Sequence, residues 1–201
     1  MEKYVSMTDE QLVHLYEQGE DSAFDSLLER HQEALFTYIL ILTRDRQMAD
    51  DVFQDTFVRA IMAIRDHRYR NSGSFYCWLM CIAHNIVLDM ARKRHNNPTT
   101  SQEFIKDDGD VCDMLNNADL CEPTIEGLLF REQNHTYLRE LITRLPASQR
   151  EIIYMRYYRD MPFKEIAQVL GISINTALGR VHYAIQNLRR MSAHLDLYEA
   201  V

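Results

Sequence analysis

The side chains whose types and spacing most clearly suggest chemistry lie between Phe163 and Ile185, where polar and small residues recur at helical intervals. Ser173, Asn175, Thr176, Gly179, Arg180 and Tyr183 fall on one face of a potential helix. They are polar or small enough to enter a major groove, and Arg180 can reach a base edge or a phosphate. The opposite face is apolar, with Ala177, Val181, Ala184, Ile185 and Leu188. A preceding short helix, Phe163–Leu170, brings Ile166 and Leu170. Two helices that cross sharply need a small residue at the crossing and a turn residue that tolerates positive φ. Ala167 and Gly171 meet those needs. The pattern predicts a helix-turn-helix, with Ser173 capping the second helix; a plain helical hairpin is the competing reading.

Other reactive side chains do not assemble into a catalytic set. There is no phosphate loop, no nucleophile–base–acid spacing and no metal cluster, so no enzyme, no cofactor and no metal are expected. Cys77, Cys81 and His84 recur at i, i+4 and i+7 and could touch a metal, but such residues are more often small core groups. Cys112 and Cys121 are candidates for redox sensitivity if exposed.

The elements that must position these groups are helical. Only 6 Gly and 4 Pro occur in 201 residues, which favours long helices over many short strands. Thr8 to Gln11 fits a capping box and opens a helix that Gly19 ends. Further helices carry Phe24 to Leu42, then Val52, Phe53, Phe57, Val58, Ile61 and Ile64, then Phe75, Trp78, Leu79, Ile82, Ile86 and Leu88. Asp66–Gly73 is a polar, Arg-rich loop, and Ser74 can cap the helix that begins at Phe75. Asn96-Asn97-Pro98 stops that helix, and residues 96–130 read as a flexible acidic linker. Helical patterning resumes over 131–192, with Pro146 and Asp160-Met161-Pro162 as punctuation. Leu195, Leu197 and Tyr198 could extend the last helix or contact a partner. The expected fold is all-α: two small helical domains, 8–95 and 131–192, joined by the linker.

The formal charge of −8 conceals an alternation. Residues 1–58 hold 4 Lys and Arg against 13 Asp and Glu, and 59–102 hold 7 against 2. Residues 103–134 hold 2 against 9, and 135–201 hold 9 against 6. The basic segments can face phosphate, each neutralised charge contributing counterion release; the acidic ones must face water or a basic partner. No secretory h-region and no run of about 18 apolar residues is present, so no membrane insertion and a cytoplasmic location are expected.

Three stretches then carry a resemblance. Met48 to Ile61, containing Asp50, Asp51, Val52, Phe53, Gln54, Asp55 and Phe57, resembles region 2.2 of sigma factors. Phe75, Trp78, Leu79, Ile82, Ala83, Asn85, Asp89, Arg92 and Arg94 are spaced as in regions 2.3 and 2.4. Leu145-Pro146, Arg150-Glu151 and the helix-turn-helix resemble region 4. In order, over about residues 8–192, they resemble an extracytoplasmic-function (ECF) sigma factor of the sigma-70 family.

The resemblance implies partners and roles. Core RNA polymerase would be bound by Asp50, Asp51, Gln54 and Asp55. Promoter DNA at the −10 element would be met by Arg68, Arg70, Asn71, Asn85, Arg92, Lys93 and Arg94, with a base flipped toward the loop at 66–74. Trp78 could stack there, but it shares a stripe with Phe75, Leu79 and Ile82 and reads as core. The −35 element would be met by Ser173, Asn175, Thr176, Gly179, Arg180 and Tyr183. An anti-sigma factor often regulates such proteins. One departure stands out: after the Thr the family usually has a β-branched residue, a basic residue, Ser and Arg, whereas here stand Ala177, Leu178, Gly179 and Arg180. A stand-alone helix-turn-helix regulator is the alternative, although it would need a dimer and no heptad seam is present.

Overall fold

The computed structural model describes residue 4 and residues 6–70, 74–96 and 134–196, with no side-chain description for 94–96, 134–137, 139 and 193–196. Asn71, the stretch with Cys112 and Cys121, and Leu197 and Tyr198 lie outside the described residues, as do the side chains of Arg94 and Leu195. Eight α-helices and one π-helical turn make up the described regular structure, with no strand among the described residues. They fall into two compact units, one holding residues 1–101 and 168–170 and the other 102–167 and 171–201.

The first unit comprises α1 (Asp9–Glu17), α2 (Asp21–Thr43), α3 (Arg46–Arg65) and α4 (Phe75–Asn96). The capping box forms as its residue types demand. Gln11 N–H donates to Thr8 Oγ1 at 3.3 Å, and Thr8 N–H donates to Gln11 Oε1 at 2.9 Å. Two of the orphan donors at the helix start are thereby satisfied. Between α2 and α3 the chain reverses in two residues: Arg44 adopts φ 54°, and Asp45 accepts from Met48 N–H at 3.1 Å. The core holds Leu12, Leu27, Leu35, Tyr38, Ile39, Val52, Ile64, Leu79 and Met80, all fully buried. Phe53 and Phe57 meet edge-on at 4.9 Å, and Phe24 meets Phe57 at 6.1 Å; such pairs add a little beyond their area burial.

A polar clip fastens α1 to α2. The Asp9 carboxylate meets His31 Nε2 at 2.8 Å and accepts from Arg30 at 2.9 Å. Arg30 also donates to the carbonyls of Met7 and Tyr4. The hydrogen bond to His31, joined by the Arg30 charge, holds the Asp9 carboxyl below its ordinary value despite partial burial. A carboxyl depressed in the folded state stabilises above the unfolded value and loses that contribution as pH falls through the folded one. Wild type is therefore expected to exceed Asp9→Asn by about 1–2 kcal/mol near pH 6. The gap should close below about pH 4; urea unfolding of both proteins across that range checks it, and a pH-independent gap would refute the assignment.

The second unit comprises α5 (Asn134–Arg144), α6 (Ala147–Ile153), a π-helical turn (Tyr154–Tyr158), residues 163–167 of α7 (Phe163–Leu170) and α8 (Ile174–Asp196). Leu141, Leu145, Ile152, Ile153 and Met155 are buried, as are Val181, Ala184, Ile185 and Leu188 of α8. The apolar spacing gives no sign of the π turn. Arg159 N–H reaches back five residues to the Tyr154 carbonyl at 3.2 Å. The extra residue shifts the phase of the apolar stripe, which leaves Tyr158 exposed while Tyr154 and Met155 are buried.

Candidate nucleic-acid interface

On α3, Asp50, Asp51, Gln54 and Asp55 are all exposed, whereas Ala49, Val52, Thr56, Ala60 and Ile64 face the core. No ion pair to the three carboxylates exists among the described residues. The same side of the helix carries two apolar groups, Val58 at 49% exposure and Met62 at 56%. The apolar spacing puts Val58 in the core stripe, and the structure corrects this. It lies two positions from both Thr56 and Ala60, about 200° round the helix from that stripe, so it shares the side of Asp51 and Asp55 instead. Strict phase at 3.6 residues would have found it. An acidic surface bordered by exposed apolar groups suits a partner that offers both basic and apolar contacts.

The second cluster surrounds the loop between α3 and α4. Tyr69 packs edge-on against Trp78 at 4.7 Å and Phe75 at 5.8 Å, and Phe75 lies 5.5 Å from Trp78. Phe75 is buried, but Trp78 is only half-buried, so it belongs to an aromatic cluster at the loop base rather than to the deep core. Burial pushes the Tyr69 phenol above its ordinary value, with Glu10 and Asp9 adding to it. Arg68 pairs with Asp66 at 2.7 Å, and Arg70 is exposed. Along α4, Asn85, Arg92 and Lys93 are exposed, and Arg92 reaches Asp89 at 3.3 Å. Exposed pairs of this kind are weak and give way readily to phosphate. His84 turns the other way: it is buried, and its Nδ1 lies 3.3 Å from the Tyr38 hydroxyl. It thus serves the core of the first unit, as buried Cys77 does, whereas Cys81 of the same series is partly exposed.

The third cluster is the helix-turn-helix. Ala167 is buried, Gly171 has φ 64°, and Ile172 N–H donates to the Ala167 carbonyl at 3.0 Å across the turn. Ser173 Oγ accepts from Thr176 N–H at 3.0 Å and lies 2.8 Å from Thr176 Oγ1. Ser173 and Thr176 are thus engaged in capping α8 while remaining exposed. Asn175 is exposed, Arg180 half-exposed and Tyr183 exposed at 38%. Gly179 is buried, unlike its neighbours in the expected set. It offers no side chain, and its backbone is covered. Exposed His182, Arg189 and Arg190 were not among the expected contacts. Gly171→Ala is expected to destabilise by about 1–2 kcal/mol, because an L side chain at positive φ is strained. Nothing lies within 4 Å of an added Cβ, so strain alone is measured. A thermal melt that does not move would contradict this account.

The described residues thus form a helical protein with a capped helix-turn-helix in one unit and an exposed acidic face on α3 in the other. Residues 27–96 match the family model Sigma-70 region 2, and residues 141–190 match Sigma-70, region 4. The chain belongs to the sigma-70 family, in its extracytoplasmic-function class. It is 26% identical over 182 residues to RNA polymerase sigma-H factor of Pseudomonas aeruginosa, covering 88% of this chain and 89% of that protein. It is 29% identical over 177 residues to ECF RNA polymerase sigma factor SigL of Mycobacterium tuberculosis, covering 85% and 89%. Among solved structures, CnrH in complex with the cytosolic domain of CnrY matches with a TM-score of 0.60 at 26% identity, over 94% of this chain and 97% of that one. Sigma factor RpoE in complex with the anti-sigma factor NepR, from Bartonella quintana, matches in fold with a TM-score of 0.59 at 19% identity, over 85% and 96%.

Proposed function

We propose that this chain binds core RNA polymerase and directs promoter recognition and transcription initiation. One observation carries the reading: an exposed acidic helix face and a correctly capped helix-turn-helix occur in one chain of this family. Residues 8–95 act as region 2, 96–130 as the linker and 131–192 as region 4. Asp50, Asp51, Gln54 and Asp55 dock on the polymerase, with Val58 and Met62 beside them. Arg68, Arg70, Asn71, Asn85, Arg92, Lys93 and Arg94 hold the non-template strand of the −10 element. Extruding a base costs a few kcal/mol, which stacking near Tyr69 and Trp78 and contacts to phosphate offset. Ser173, Asn175, Thr176, Arg180 and Tyr183 face the −35 duplex, and Gly179 gives close approach only. The chain works by binding, while the phosphodiester chemistry belongs to the polymerase. It acts in the cytoplasm, and no described helix is long and apolar enough to cross a membrane. An anti-sigma factor covering these surfaces would regulate it.

Reconstituted transcription tests this. Purified chain, bacterial core polymerase and a genomic promoter library should yield new start sites that share −35 and −10 elements. Absence of both polymerase binding and new starts, with duplex binding by the chain alone, would make it a stand-alone regulator.

A further inference from the structure

The start of α8 carries an apolar surface that neither the core nor the cap accounts for. Ile174, the first residue of the helix, is 47% exposed, and Leu178, one turn further along, is partly exposed. From Ser173 to Gly179 no side chain is charged. The two hydroxyls of the same turn are already engaged: Ser173 Oγ accepts from Thr176 N–H at 3.0 Å and lies 2.8 Å from Thr176 Oγ1. What the first turn offers outward is therefore chiefly the Ile174 side chain and the amide of exposed Asn175.

In a helix-turn-helix the N-terminal residues of the second helix lie against base edges in the major groove. Only thymine carries an apolar group on that edge, its C5 methyl. We infer that Ile174 and Leu178 read thymine methyl groups in the −35 duplex, so that the leading turns of α8 select A·T pairs by apolar contact. The inference rests on the reading of α8 as the −35 helix and adds the base chemistry to it.

Two effects act in the same direction. Closing a thymine methyl against Ile174 removes apolar surface from water on both partners. A G·C pair at the same step would instead present O6, N7 or N4 groups to isoleucine, which cannot replace the water they lose. Isoleucine is also stiff at χ1, so little side-chain freedom is lost on contact. Contact with sugar and phosphate alone would give no such preference, because those groups carry no sequence information.

Full-length protein with bacterial core polymerase is first used to select from a duplex library randomised across the −35 segment. The selected element is expected to hold thymine at two fixed steps. Synthetic promoters then carry deoxyuridine for thymine, one position at a time, which removes the methyl and keeps every hydrogen-bonding group. At those two steps affinity should fall about fourfold, the worth of one buried methyl group. Ile174→Ala should bind the thymine promoter about fivefold to tenfold more weakly and lose the thymine-over-uracil difference at one step. Leu178→Ala should lose it at the other. Ile174 is exposed, so its replacement should leave the thermal melt in place. Uracil tolerated at every position of a selected element, or a uracil penalty that persists in both variants, would overturn the proposal and leave the −35 reading standing. If no duplex sequence is selected and no new starts appear, that reading fails and the proposal fails with it.

Discussion

Asp51→Lys is expected to weaken binding to core RNA polymerase by about tenfold to a hundredfold, and to reduce promoter-directed starts in proportion. Asp51 is exposed on α3 between Asp50 and Asp55, and no ion pair to it exists among the described residues. Reversing its charge removes one attractive contact to a basic surface and sets a like charge against it. Such juxtapositions cost several kcal/mol in an interface, and each 1.4 kcal/mol is tenfold in affinity. The fold should not suffer, since an exposed substitution away from any network changes stability by about 0.5 kcal/mol or less. Direct binding of labelled protein to core polymerase, beside a thermal melt, separates the two effects. Unchanged affinity with an intact fold would move the docking surface elsewhere. Val58→Glu should add to the loss, because it places a charge in the apolar margin of the same side.

The largest effect on stability is expected from Arg150→Met, about 2–3 kcal/mol in the second unit. Arg150 is buried, and it donates to the Leu145 carbonyl at 3.1 Å and, more weakly, to the Thr143 carbonyl at 3.4 Å. These carbonyls end α5, where the last turn has no intrahelical donors. A cation at a helix C-terminus also meets the negative end of the helix dipole. Methionine keeps much of the aliphatic stem but removes the guanidinium donor from both carbonyls. Trp78, the sole tryptophan, lies in the first unit, so its fluorescence reports that unit alone. Circular dichroism of the variant should show an earlier helical transition while the Trp78 transition stays in place. Coincident, unshifted transitions would show that Arg150 contributes little. Binding to a −35 duplex should fall with the folded fraction of the second unit.

Much of this protein was legible in its residues. Scarce Gly and Pro, the capping box at Thr8, the apolar stripes and the paired requirement for Ala167 and Gly171 follow from local rules, and local rules are written in sequence. The resemblance of three stretches in order then pointed to the family. Tertiary structure decided what depends on phase and on partners distant in the chain. Val58 sits outside the core because α3 presents a single stripe to α2 and α4, and a branched apolar residue does not reveal which side it occupies. Trp78 is half-buried because Tyr69, nine positions away, covers only part of it. The π turn at Tyr154–Tyr158 depends on one inserted residue that no spacing rule marks. His84 belongs to the core because Tyr38, on another helix, stands within reach of its ring. Arg150 caps α5 because α6 folds back across that helix's end. Sequence by itself determined the helices, their caps and the kind of partner each charged face suits; packing determined which faces remained exposed, since exposure is set by neighbours that local sequence does not contain.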